Sequence, residues 1–360
     1  MSALTLPSPR QEEWRWSDMS ALRAAAEAAP RATGIDPRTL FLDIAGLRLL
    51  FVDGVFEPAH SLPGKVQVAP IALETTHPLG ALAGGEGWTL TLGAEAFSDT
   101  VQIVHLGSGG ESHVPARIMM AEDAVASVVE TYAGSGWANR ATQITLARGA
   151  RLMRSVRLLQ ADGYVSIRDE AEVGEAASLV SVFLGAGDMG SRIDGSIVLT
   201  GKGAFAEMGG ALLTRGEQRQ EAAAVLRHVE VDGASRQIWR AVADDRSVVS
   251  LAARAEVARG AQKTDGEQSL RGLLLQRSAT VNLKPELEIF ADDVKCAHGA
   301  TVGDLDKRAL FYLESRGIDA ARAKALLTRA FVVDALGRIG EETVRDAFVA
   351  DAEKWLEAVL

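Results

Sequence analysis

A small-residue step ending in alanine recurs along this chain: EDA at Ala124, RGA at Ala150, EAA at Ala177, KGA at Ala204, DGA at Ala234 and RGA at Ala261. The intervals are 26, 27, 27, 30 and 27 residues, and the step then shortens, with RSA at Ala279 and HGA at Ala300. Between the steps lie short runs that alternate with period two: VASVVETY, TQITL, LMRSVRLL, YVSIRDEAEV, SLVSVFL and IDGSIVLTG. Such alternation places successive side chains on opposite faces, which is strand patterning. Only Pro115 falls between residues 98 and 284, so little interrupts sheet pairing. A period in the twenties made of strands and tight turns stacks each repeat as one coil. The expected fold is mainly β, a right-handed parallel β-helix (a β-solenoid). A β-sandwich in an alanine-rich chain is the alternative the pattern leaves open.

The flanks read differently. Residues 11–29 look helical, with Ser20 as a cap and Pro30 as the stop. GLRLLFVDGVF (46–56) reads as a hairpin turning at Asp53-Gly54, and 57–97 is rich in Gly and Pro. After residue 300 the period becomes helical. Leu305, Ala309, Tyr312 and Leu313 share one face, and Gly317 ends that helix. Asp319 can cap a second, with Ala323, Leu326, Leu327, Ala330 and Phe331 inward. Val344, Phe348, Trp355, Leu356 and Val359 give a third. The expected organisation is an N-terminal helical and mixed segment (1–97), a β-helix core (98–298) and a C-terminal helical domain (299–360).

Charge and composition narrow the function. With 38 Lys plus Arg against 48 Asp plus Glu, the net charge is −10. That disfavours nucleic acid and anionic membrane surfaces as partners. No apolar run is long enough to span a bilayer, and the first twenty residues carry no secretory h-region, so a cytoplasmic chain is expected. The single cysteine, Cys296, excludes a disulfide framework or an all-Cys metal site within one chain.

Short motifs resolve mostly to structure. Gly185-x-Gly187-x-x-Gly190 matches the dinucleotide fingerprint, but the following SRIDGSIVLTG alternates as a strand where a helix is required. Gly195…Gly201-Lys202 has the wrong spacing for a phosphate loop, and Gly203 replaces the hydroxyl that would hold Mg²⁺. No G-x-S-x-G elbow surrounds a serine. Aromatic residues are 5% of the chain, too few for the platforms of a sugar groove.

The densest chemistry is KPELEIFADDVKCAHGATVG (284–303). If 288–298 stays extended, Asp292, Val294, Cys296 and His298 point to one face. A thiolate and an imidazole two residues apart suit Fe or Zn, but they make only half a site. A buried structural cysteine beside a turn histidine is the competing reading.

The longer string PELEIFADDVKCAHGATVGDLDKRALFYLESRGI (285–318) resembles the C-terminal signature of the SufB/SufD family of iron–sulfur cluster assembly proteins. SRQIWRAV (235–242) and ARGAQKTDGEQSLRGLLL (258–275) fit the same pattern. The resemblance is strong over about 230–330, diffuse over 98–230 and weak before that. With no cysteine before Cys296, and no Glu-His-His cluster in the tail, the chain looks more like the SufD than the SufB side. QSLRGLLLQRSA (268–279) departs from a more polar, Asn-containing version, and is expected not to touch Cys296 or His298.

The resemblance implies a non-catalytic scaffold. It implies pairing with a SufB-like paralogue through the solenoids, and docking of a SufC-like ABC ATPase on the C-terminal helices. It implies a transient Fe–S cluster shared with the paralogue. His298 is the first candidate ligand to that cluster and Cys296 the second. Exposed solenoid edges favour pairing with a second copy when the paralogue is absent. Two other readings compete: a stand-alone β-solenoid enzyme acting on acyl groups or sugars, and an adaptor that docks the ATPase without binding metal.

Overall fold

Asp123, Gly149, Ala176, Gly203, Asp232 and Lys263, one in each of six successive coils, take left-handed backbone, with φ between 50° and 68°. Gly and Asp reach this region at little cost. The residue after each is buried at the corner: Ala124, Ala150, Ala177, Ala204, Gly233 and Thr264. The carbonyl of each corner residue accepts a hydrogen bond of 2.8–3.0 Å from the backbone N–H that opens the strand of the next coil. The alanine repeat is therefore a turn requirement, a left-handed residue followed by a small one with no room to spare.

The repeat drifts at Ala234 for a definable reason. In register, successive coils are offset by 26 residues (Val125↔Arg151) and then 27 and 27 (Arg151↔Ser178, Ser178↔Phe205). They lengthen to 29, 31 and 30 (Phe205↔Ala234, Ala234↔Asp265, Asp265↔Lys295). Ala234 thus falls one place past its corner. Ala279 is buried at the opposite corner, and Ala300 lies mid-strand, opposite Leu270.

The computed structural model describes residues 6–94 and 96–359. β1 (Gly46–Val52) and β2 (Val55–Phe56) form the expected hairpin, with positive φ at Asp53 and Gly54. β3 (Gln67–Ile71) pairs antiparallel with β4 (Gly85–Leu92). Two long strands follow, β5 (Ala96–Met120) and β6 (Val125–Leu146). Thereafter each coil contributes two strands: β7 (Arg151–Leu158) and β8 (Asp162–Val173), β9 (Ser178–Gly185) and β10 (Gly190–Leu199), β11 (Phe205–Thr214) and β12 (Arg219–His228). β13 (Ala234–Ala243) and β14 (Val248–Val257), then β15 (Asp265–Leu274) and β16 (Thr280–Ile289), precede the last strand, β17 (Lys295–Gly303).

All pairing from β4 onward is parallel, in two stacks. The A face runs β1, β5, β6, β7, β9, β11, β13, β15, β17. The B face runs β4, the distal halves of β5 and β6, then β8, β10, β12, β14, β16. This is a parallel β-solenoid. Its strands reach past 98–298 on both sides, since β1 and β4 pair in parallel with β5 and β17 continues to Gly303. The Gly185–Gly190 motif is the turn between β9 and β10, with a strand following it.

Inward side chains fill the lumen with Leu, Ile, Val and Ala, and with Phe183 and Trp239 stacked at 6.0 Å. At the N-terminal flank, 11–29 is not one helix. A 3₁₀ turn (Glu12–Trp14) precedes α1 (Ser20–Glu27). Ser20 is the first helical residue and not the cap, its N–H being accepted by Asp18 Oδ1 at 2.9 Å.

The tail forms α2 (Lys307–Ser315), α3 (Ala320–Leu336) and α4 (Glu342–Glu357). Asp319 caps α3, and Gly317 takes φ +83° after α2. Val332, Leu336, Phe348 and Trp355 pack on the outward A face against Val182, Leu184, Leu213 and Val242. Each such side chain stabilises the contact by about 1.5–3 kcal/mol. Three ion pairs bolt the helices to the strands: Arg157–Asp351 at 2.7 Å, Arg338–Glu207 at 2.7 Å, and Arg240–Asp334. The inward face of α3 is rotated from expectation, because it meets a sheet and not only its helical neighbours. Leu326 is exposed, and Thr328, Val332 and Ala335 are buried. Tyr312 is also exposed, since no sheet covers α2.

Candidate functional site

Cys296 and His298 both lie on β17, and the structure brings them to one end of the lumen. Their register partners on β15 are Gly266 and Gln268. Gln268 is buried, so these are inward positions. Among the described residues, β17 is the last A-face strand and pairs only with β15, and β16 is the last B-face strand and pairs only with β14. No coil covers them, so His298 is exposed and Cys296 half-buried.

Asp292 does not join this face. β16 ends at Ile289 and β17 begins at Lys295, so a corner interrupts 288–298. Alternation counted straight through a corner loses its meaning. QSLRGLLLQRSA also proves to be closer than expected. Its first residue, Gln268, is the register neighbour of His298. This residue escaped sequence reasoning, yet the offset of one coil from 298 leads directly to it.

The two candidate ligands sit in different surroundings. Cys296 packs beside Val257, Ala261 and Ala291. Burial, with the Asp265 carboxylate nearby, pushes its thiol pKa up, against a hydrogen bond from the Gly266 backbone. Metal ligation requires the thiolate, so binding at Cys296 must release a proton. His298 is exposed at the mouth of the lumen. Among the described residues, no group of three or more His, Cys, Asp or Glu is arranged to hold a metal ion.

Deeper in the lumen, on the column of Cys296, Ser235 Oγ pairs with His228 Nε2 at 2.8 Å. His228 is fully buried, and burial draws its pKa down to about 4. The imidazole is neutral in the fold and ionises near 6.5 when unfolded. Its contribution is therefore complete above pH 6.5 and is lost as pH falls towards 4, by about 3 kcal/mol at most. Urea midpoints of the native chain should drop across this window. His228→Gln should lack that part of the slope, and an identical slope in both would refute the assignment.

A separate cleft of about 540 Å³ lies between residues 12–17 and the outer B face. Most of its charges are spent on one another or on neighbouring residues. Arg192 pairs with Asp194 and Glu221 at 2.7 and 2.6 Å, Ser17 donates to Glu221 at 2.5 Å, and Lys284 pairs with Glu12 at 2.9 Å.

The SUF-system SufBD core domain, which serves Fe–S cluster assembly, matches residues 100–331, well over half of the chain. This chain belongs to the SufBD family. It is 27% identical over 381 residues to the iron–sulfur cluster assembly protein SufD of Escherichia coli (strain K12), covering 96% of this chain and 88% of that one. It is 31% identical over 242 residues to the chloroplastic protein ABCI7 of Arabidopsis thaliana, covering 64% of this chain and 50% of that one. A SufBD-family assembly protein of Mycobacterium tuberculosis (strain ATCC 25618 / H37Rv) is 27% identical over 389 residues, covering 99% and 91%. Within the SufBD family the chain is most like SufD. No helix among the described residues is long and apolar enough to cross a membrane.

Proposed function

We propose that this chain is a non-catalytic, cytoplasmic scaffold subunit of iron–sulfur cluster assembly. The observation that carries the reading is an uncovered last coil bearing an incomplete ligand pair, His298 and Cys296. A SufB-like chain completes the shell by pairing against β16 and β17. Their free backbone edges and the exposed Ile289, Phe290 and Val302 suit a protein partner. An incomplete shell also suits a scaffold that must release its cargo. A SufC-like ABC ATPase docks on the exposed Phe311 and Tyr312 of α2 and Leu326 of α3. Movement of α3 then reaches the solenoid through Asp334–Arg240 and Glu207–Arg338.

The test is anaerobic co-purification with the SufB-like and SufC-like chains, with iron and sulfide counted per complex. His298→Ala should leave the complex assembled and lower bound iron and sulfide by ~10-fold or more. Undiminished iron and sulfide would favour the adaptor reading, and recovery of this chain alone would remove the scaffold reading altogether.

A further inference from the structure

His298 has a buried amide directly behind it. Gln268 is 2% exposed and occupies the same inward column one coil earlier. Its Nε2 donates to Ala253 O and to Glu286 O, both at 3.1 Å. The carboxamide is pinned by these two bonds. A flip would turn its oxygen against two carbonyls, so the assignment of O and N is settled by chemistry. Its Oε1 is buried and has no partner among the described residues. An acceptor left this way carries a desolvation cost unless a donor reaches it.

The same device appears one coil further in. Gln237 Nε2 donates to Arg254 O at 3.0 Å, its Oε1 is likewise unpartnered, and its register partner is Gln268. Gln237, Gln268 and His298 thus form one column. At its open end stands an imidazole that makes no hydrogen bond to the described residues, and with both amide N–H groups already donating to backbone carbonyls, its ring N–H is the donor left uncommitted in the column.

We infer that Gln268 is a positioning residue for His298: when the exposed ring turns towards the lumen, Oε1 accepts an N–H of the imidazole and leaves the other ring nitrogen for the metal. This rests on the reading of His298 as a ligand. A ligating imidazole commonly donates its second N–H to an acceptor, which fixes tautomer and ring orientation. Here the acceptor is a neutral amide. A carboxylate in its place would raise the basicity of the ring and tighten the metal, whereas an amide orients the ligand without strengthening its hold. That matches cargo which must be handed on.

The test is ¹H–¹⁵N long-range NMR of ¹⁵N-histidine-labelled full-length chain at pH 8, with His298→Ala identifying the signal. In the native chain one His298 tautomer should be favoured about fivefold beyond the ratio of a free histidine. Gln268→Met, close in volume, should return the free ratio, and Gln237→Met should leave it unchanged. A free ratio in the native chain, which needs no variant to fold, overturns the inference. So does a ratio unmoved by Gln268→Met. The iron and sulfide content of the His298→Ala complex tests the ligand reading separately, so either statement can fail alone.

Discussion

An Arg154→Met chain should unfold about 3–5 kcal/mol more easily than the native chain at neutral pH. Arg154 lies in the lumen on β7, fully buried. Its Nε donates to Glu130 Oε1 at 2.7 Å, and its Nη1 reaches Asp169 from the A face to the B face. Tyr132 donates its hydroxyl to Glu130 at 2.7 Å. The native arrangement is costly to build, since burial pushes the Asp169 carboxyl up to about 6 even against the pull of Arg154. Removing the guanidinium leaves the Glu130 and Asp169 carboxyl groups buried without the cation that bridges them. A carboxyl whose pKa is raised by folding is tolerated below its unfolded value and loses stability as pH rises through the folded one. The variant's deficit should therefore shrink on acidification. Adding Glu130→Gln and Asp169→Asn should recover much of it at pH 7. Urea midpoints decide the matter, and a deficit below about 1 kcal/mol would show the cluster to be dispensable.

Gly134→Val should prevent folding, or cost more than about 4 kcal/mol. Gly134 has φ +83°, and a Cβ there would fall inside van der Waals contact of the Gly107 carbonyl. Gly107 meets Ser135 in the same way, and a Cβ on Gly136 would lie 2.6 Å from Gly110 O. Here β5 and β6 turn from one face to the other without leaving the sheet. Both clashing groups are backbone, so no rotamer relieves them. Gly216 is the control: its φ is +62°, but nothing lies within 4 Å of its added Cβ. Gly216→Ala should cost only the strain of the left-handed backbone, about 1–2 kcal/mol. Equal costs at the two sites would mean that crowding plays no part.

The solenoid was legible because its turn makes the same demand in every coil. A left-handed residue and a small buried one must recur wherever the chain rounds that corner, and four alanines from Ala124 to Ala204 record it. The later steps misled because coil length changed and alanine is frequent elsewhere. That Cys296 and His298 share one face of one strand was legible from their spacing. Asp292 was misplaced because alternation does not announce a corner. The lumenal ions stayed hidden since a charged residue at an alternate position ordinarily marks the solvent side; only the stacked register shows that Glu130, Arg154 and Asp169 face inward. Tyr312 and Leu326 were misassigned because helical periodicity identifies an apolar face without saying what, if anything, lies against it.

The three bolts of the helical tail have a consequence for how this molecule can vary. Asp351, Glu207 and Asp334 tie the tail to β7, β11 and β13. Those strands are three steps apart along the A face, about 14 Å at the usual strand spacing. A stacked array can ordinarily gain or lose a unit with little effect on its neighbours. Here the tail acts as a caliper whose jaws are set to a fixed number of coils. Insertion or loss of one coil between β7 and β13 would carry Arg157 out of reach of Asp351 while leaving every strand properly paired. Length changes should therefore be confined to the coils before β7 or to the loops at the corners.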